Sequence, residues 1–206
     1  MSPRTRDKEK RRLEILDASL EVIAVQGAYS FKMVEVAARA GIGKGTIYEY
    51  FDTKEDLLTA GFARFFLKYF DFLNRTSGKR LSPPERLRDY FKRSFEFLAD
   101  NSGMLQVMFD FWSHLQMQRR TEQFHDEIVE ILDRFKNDFS AIFEDGMKEG
   151  YFRAFKIEPV MISLFAMVDG LALQYSMGQI DLRDAAIADE LTEMVLRGLL
   201  HEEKGE

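Results

Sequence analysis

Apolar residues recur at steps of three and four through almost the whole chain, the spacing of helices that each bury one face. Strand-like alternation is missing. Leu13, Leu16, Leu20 and Ile23 line one face of a first helix expected over about residues 7–26 and closed by Gly27. A short second helix is expected over 31–40, with Ser30 as its N-cap and Val34, Val36 and Ala37 turned inward. Gly41-Ile42-Gly43 reads as a turn, and 44–51 as a third, equally short helix. Thr53 caps a fourth helix reaching about residue 74, and Ser82-Pro83-Pro84-Glu85 opens a fifth that continues to about 100. Further helices are expected over 103–118, over 121–149 before Gly150, from Pro159 to about 177, and over 182–200. The pattern predicts an all-α protein of about nine helices.

Helices two and three are too short to persist alone in water. Joined by a three-residue turn and packed on the first helix, they make a helix-turn-helix, whose second helix enters the DNA major groove with its N-terminal residues leading. If Ile47 and Phe51 face inward, then Lys44, Gly45, Thr46, Tyr48, Glu49 and Tyr50 face outward. Lysine carries charge to a phosphate or a guanine edge, and Gly45 permits close backbone approach. Thr46 brings a hydroxyl and a methyl, and the tyrosines bring phenol donors for phosphate oxygens. Glu49 could accept from a cytosine amino group, although such a residue more commonly points to solvent. Lys54 stands at the start of helix four, where free backbone N–H groups also favour an anion.

The segment MVEVAARAGIGKGTIYEYFDTKEDLL, residues 33–58, resembles the DNA-binding signature of the tetracycline-repressor (TetR) family of bacterial transcriptional regulators. The resemblance covers about the first 60 residues closely and the remainder only in helix number and length. It implies that Lys44 and Thr46 reach bases at the front of the recognition helix, and that Tyr48, Tyr50 and Lys54 hold phosphates. Two positions depart from the family pattern. Gly43 stands where a hydroxyl residue is usual, and Phe31-Lys32 where a threonine is common, with Lys32 available as a substitute phosphate contact. The implied organisation is a three-helix DNA-binding domain over 1–53 and a helical effector-binding and dimerisation domain over 54–206.

Charge agrees with that polarity. The chain carries a net −6, yet residues 1–54 are positive by two, and six basic side chains face two acidic ones within the first twelve. A polyanion would be met by the N-terminal end alone. There is no cysteine, so disulfides and thiolate chemistry are excluded. No apolar run reaches the roughly 18–20 residues that span a bilayer, and the charged N-terminus lacks a secretory h-region. A cytoplasmic protein without membrane contact or cofactor is expected.

The later helices are rich in large apolar side chains, with 19 phenylalanines and ten methionines in the whole chain. Most of these are core, but methionine also fills permissive apolar surfaces, and an apolar cavity between helices would suit a small-molecule effector. The lining expected for it is Phe66, Tyr69, Phe70, Met108, Phe109, Trp112, Phe135, Phe139, Met167 and Tyr175. Asp110, His114, Gln116, Asp169 and Gln174 are nearby polar candidates. Helix eight is apolar on more than one face and must be covered on two sides. Its small and apolar positions Ala166, Gly170, Leu173 and Met177, with Leu191, Met194, Val195 and Gly198 of helix nine, form the expected homodimer interface.

The reading is a ligand-responsive transcriptional regulator: a homodimeric repressor on a palindromic operator of double-stranded DNA, released by a small apolar or amphipathic effector. An architectural DNA-binding protein without ligand is the alternative within the same class. A helical-bundle metalloenzyme is the rival from another class, because Glu122-Gln123-Phe124-His125 has the Glu-x-x-His spacing of carboxylate-bridged di-iron sites. Such a site needs a second pair, which His114 and His201 do not supply. No catalytic residue and no metal ligand is assigned.

Overall fold

The computed structural model describes residues 3–75, 81–109 and 125–200. Among them the chain forms nine helices and a single isolated bridge, between Phe152 and Leu200. The helices are α1 (Pro3–Gln26), α2 (Met33–Arg39), α3 (Lys44–Ile47), α4 (Lys54–Leu73), α5 (Pro83–Asp100), α6 (102–109), α7 (His125–Lys148), α8 (Ile157–Ser176) and α9 (Ala185–Leu199). They fall into two compact units, Met1–Lys68 with Gly103–Val129, and Tyr69–Ser102 with Glu130–Glu206. The expected boundary at 53/54 coincides with the start of α4, whereas this division falls inside α4.

In the first unit, α1 buries Ile15, Leu16, Leu20 and Ile23. Gly61 of α4 lies so close to α1 that a Cβ there would be 3.3 Å from the Ser19 hydroxyl, itself buried and bonded to the Leu16 carbonyl. Asp17 adds polar ties between the same helices. Arg64 donates to both of its carboxylate oxygens, at 2.9 and 3.2 Å, and Lys68 approaches at 2.8 Å. Burial alone would raise this carboxyl, but the two cations outweigh it and hold it below the usual carboxylate range. An exposed ion pair between Arg39 and Glu21 joins α2 to α1.

The second unit packs aromatic side chains of α5 and α7. Phe91 and Phe95 of α5 and Phe143 of α7 are fully buried, as is Phe152 beyond the end of α7. Arg86 reaches Asp145 at 2.7 Å, linking α5 to α7, and Arg88 reaches Glu193 at 2.7 Å, linking α5 to α9. The Ser82–Glu85 capping box forms as the sequence predicts, with the Ser82 N–H donating to the Glu85 carboxylate at 2.8 Å.

Several boundaries differ from expectation. Ser30 does not cap α2. The Glu35 carboxylate accepts the Lys32 N–H at 3.0 Å, which moves the start to Met33 and leaves Phe31 buried ahead of the helix. Val34 is 47% exposed, so Met33, Val36 and Ala37 carry the α2 contact. Helix α8 begins two residues before Pro159, which sits in the first turn where no N–H partner is required. Helix α9 starts later, capped by Asp184, whose side chain accepts the Ala186 N–H at 3.0 Å. One helix, α8, proves long and apolar enough to cross a bilayer by length and composition, contrary to the sequence expectation, and only 17% of its most apolar window is buried.

Candidate nucleic-acid interface

The turn between α2 and α3 depends on Gly41, which adopts φ 67°, a left-handed conformation that a side chain would strain. Extended backbone at Gly43 (φ −70°, ψ 152°) then starts α3 without a side-chain cap. After Ile47 the helix tightens. Tyr48, Glu49 and Tyr50 donate to carbonyls three residues back, at 3.2, 3.1 and 3.1 Å, so the expected helix over 44–51 is one α-turn followed by a tighter turn. Ile47 and Phe51 are buried beneath it.

That anchoring decides what is displayed. Lys44, Gly45, Tyr48 and Glu49 are exposed, and Thr46 and Tyr50 are half-buried. A Cβ on Gly45 would meet nothing within 4 Å. Lys32 is exposed at the α2 N-cap, and Lys54 is half-buried. The Lys54 ammonium donates to the Tyr29 carbonyl at 2.6 Å and stands 4.4 Å from the centre of the Phe31 ring. This places Lys54 between α4 and the loop before α2, with donor capacity left for a phosphate. The first turn of α4 is closed reciprocally: the Asp56 N–H donates to Thr53 Oγ1 at 3.0 Å, and the Thr53 N–H to the Asp56 carboxylate at 3.0 Å.

Two cations beside this surface were passed over by the motif reading. Lys8 Nζ lies 5.9 Å from the Tyr50 ring centre, and the Arg12 guanidinium 5.3 Å from that of Phe51. The excess of basic residues in the first twelve positions was their sequence signal. The N-terminal half of α1 thus brings positive charge to the edge of the α3 turn.

The residues expected to line an effector cavity divide between the units. Phe66, Met108 and Phe109 belong to the first unit and are half-buried. In the second unit, Tyr69 packs on Phe70 and Phe97 with ring centres 5.4 and 5.1 Å apart, and its hydroxyl shares a hydrogen bond with buried Ser94. Burial pushes the Tyr69 phenol well above its ordinary value, so it stays neutral. Phe139 is buried against Tyr90, Phe143 and Phe165. Met167 is half-buried. The Tyr175 hydroxyl donates to the Ala99 carbonyl at 3.3 Å and accepts from Arg183 at 3.0 Å. Trp112, Asp110, His114, Gln116, Glu122 and the Phe135 side chain lie outside the described residues. An open groove of about 650 Å³ between α5 and α9, lined by Glu85, Arg88, Lys92, Asp189 and Glu193, includes none of the expected lining. Among the described residues no group of three or more His, Asp or Glu side chains could hold a metal ion.

On α8, Ala166, Leu173 and Met177 are exposed and Gly170 is half-buried with open space above its Cα. On α9, Met194 and Gly198 are exposed and Leu191 and Val195 half-buried.

Comparison with known proteins bears on all of this. The model for bacterial regulatory proteins of the tetR family matches residues 15–60. The model for the C-terminal domain of BetI-type transcriptional repressors matches residues 83–201, more than half of the chain. The fatty acid metabolism regulator protein of Bacillus subtilis is 23% identical over 195 residues, covering 94% of this chain and 98% of that protein. The regulator BetI of Burkholderia cenocepacia is 27% identical over 194 residues, 89% of this chain and 92% of the relative. The structure of FadR from Bacillus subtilis in complex with stearoyl-CoA superposes with a TM-score of 0.72 at 24% identity, over 91% of this chain and 98% of that one. The helix-turn-helix motif, the all-helical architecture and both family matches agree: the chain is a DNA-binding transcriptional regulator, not an enzyme, and belongs to the TetR family, with the C-terminal domain of BetI-type repressors.

Proposed function

We propose that this regulator is a homodimeric, cytoplasmic repressor that places α3 of each subunit in the major groove of a palindromic operator and leaves it when a long-chain amphipathic effector binds. The observation that carries the DNA half is the inversion at α3: Ile47 and Phe51 are buried, and Lys44, Gly45, Tyr48 and Glu49 stand in solvent. Lys44 and Thr46 are assigned to base edges, and Lys32, Tyr48, Tyr50 and Lys54 to phosphates, with Lys8 and Arg12 adding charge at the border. Glu49 lies on the same face.

Support for the dimer comes from α8 and α9. A 20-residue apolar helix with so little of its surface buried needs a cover. Its bare stripe is bordered by Asp169, Ser163 and Gln174, which suits a protein partner better than lipid. Helix α9 offers a matching stripe at Ile187, Leu191, Met194 and Gly198, spaced by four, three and four as in a helical-bundle seam. A second copy of the chain is the occupant that supplies both stripes.

Support for the effector comes from a relative captured with stearoyl-CoA and from the aromatic interior of the second unit, where the neutral Tyr69 phenol packs on Phe70 and Phe97 and shares a hydrogen bond with buried Ser94. A long acyl chain is the effector class such an interior favours. Release requires differential affinity for two states of only about 1–3 kcal/mol.

The test begins with DNA selected from a genomic fragment library at low ionic strength, followed by titration of the bound fragment with stearoyl-CoA, coenzyme A alone and stearate. Release by stearoyl-CoA but not by coenzyme A supports the proposal. Retention of no fragment overturns the DNA assignment, and indifference to all three ligands overturns the effector class. On the same fragment, Lys54→Ala should weaken binding and shallow the dependence of log affinity on log salt by about one unit. An unchanged slope would confine Lys54 to its Tyr29 and Phe31 contacts.

A further inference from the structure

Helix α8 carries two charged residues in its 20 positions, Glu158 in the first turn and Asp169. At about 100° per residue, Asp169 falls beside Ile162 and Leu173, on the border of the exposed apolar stripe. The residue is solvent-accessible, yet the protein atoms crowded around it already push its carboxyl above the usual carboxylate range. Within the subunit, the titratable group it influences is the Tyr69 phenol of α4, which stays neutral.

Helix α9 carries one cation, Arg197, next to the Met194 and Gly198 end of its own stripe. The acids of α9 are Asp189, Glu190 and Glu193. Glu193 is taken by Arg88, and Asp189 lines the groove toward α5. Arg153, a second cation near this end of α9, is held on the Gly198 carbonyl at 2.9 Å. Among the described residues, neither Asp169 nor Arg197 has an ion-pair partner within the subunit. Opposite charges therefore border two apolar stripes that both await a cover.

We propose that Asp169 of one copy pairs with Arg197 of a second copy across the self-interface, and that this pair sets which chain a subunit accepts as its partner. The inference rests on the dimer reading above and adds the residues that make it selective. Apolar burial is non-directional, and stripes of Ile, Leu and Met fit many similar helices in more than one register. Charges flanking such a seam supply choice of partner and register, because a wrong neighbour leaves a desolvated charge unpaired. A two-fold arrangement makes the pair twice, once on each side of the axis.

Four full-length proteins test it by analytical ultracentrifugation: wild type, Asp169→Arg, Arg197→Asp and the double variant, with circular dichroism confirming that each is folded. Each single reversal should weaken self-association at least about tenfold, and the double variant should return to within about threefold of wild type. Mixing the two singles should produce a heterodimer, since the introduced arginine of one then meets the introduced aspartate of the other, while the native Asp169 and Arg197 left in the two chains still meet. Singles that dimerise as well as wild type overturn the pair and leave the dimer standing. A double variant as weak as the singles, with no heterodimer on mixing, also overturns it. A wild type that stays monomeric overturns the dimer reading itself and the pair with it.

Discussion

Gly146→Ala is expected to cost the protein about 3 kcal/mol, at the upper end of what one extra methyl does to a packed core. Gly146 is buried on α7, and a Cβ built on it would stand 2.0 and 2.3 Å from two carbons of the Phe152 ring. The ring has little room to yield. Phe152 is fully buried, its centre is 6.2 Å from that of Phe143 and 6.5 Å from that of Phe155, and its backbone bridges to Leu200. The turn that delivers it is fixed as well. Gly150 adopts φ 80°, and the Tyr151 and Phe152 N–H groups both donate to the Gly146 carbonyl, at 2.8 and 3.0 Å. The figure is net of the roughly 1 kcal/mol that alanine's better helix propensity returns. A melting temperature about 6–12 °C below wild type is expected for a chain of this size. Gly45→Ala is the control, because its Cβ would meet nothing within 4 Å and it lies outside the α8 and α9 faces proposed for the dimer. Adding Phe152→Leu to Gly146→Ala should cost less than the sum of the two singles, because they share one contact. A Gly146→Ala protein that melts at or above wild type would show that the ring does not lie over this glycine.

That contact marks where sequence reasoning stops. Helical periodicity and caps made from residues three apart, such as Ser82 with Glu85 and Thr53 with Asp56, are local, and both were legible. The burial of Ile47 and Phe51 followed from their spacing of four and the need of two short helices for a floor. Ser30 failed as a cap because the competing Glu35 carboxylate takes the Lys32 N–H, and nothing in the isolated segment ranks the two. Val34 failed because a seven-residue helix has one narrow buried face, already filled by Met33, Val36 and Ala37. The Lys54 contact with Tyr29 and Phe31 joins residues more than twenty positions apart, and so does the tie from Asp17 to Arg64 and Lys68. Gly146 under Phe152 is close in sequence, but its closeness in space depends on a left-handed turn and a buried ring that no periodicity encodes. The stripe on α8 was legible as apolar, and its exposure needed the fold.

Gly45→Leu should abolish operator recognition while leaving the protein folded. Glycine at the second position of α3 brings no side-chain contact of its own, and a Cβ there points into open space. Leucine can therefore be accommodated by the subunit, and its helix propensity exceeds that of glycine by nearly 1 kcal/mol. The melting temperature should hold or rise slightly. Against DNA the balance reverses. In the proposed docking Gly45 lies between Lys44 and Thr46 at the leading end of the recognition helix, where the backbone would come closest to the groove for those two side chains to reach base edges. Four added carbons would hold the helix off by more than a hydrogen bond tolerates, and a dimer would suffer the loss at both half-sites. Binding to the selected operator fragment should weaken at least about a hundredfold at fixed salt, equivalent to roughly 2.8 kcal/mol. The weaker attachment to unrelated DNA should persist, because Lys8, Arg12 and Lys32 are untouched. Gly45→Ala should fall between leucine and wild type. An operator affinity unchanged by leucine, in a protein that melts normally, would mean that α3 does not meet DNA with this end, and the assignments of Lys44 and Thr46 would go with it.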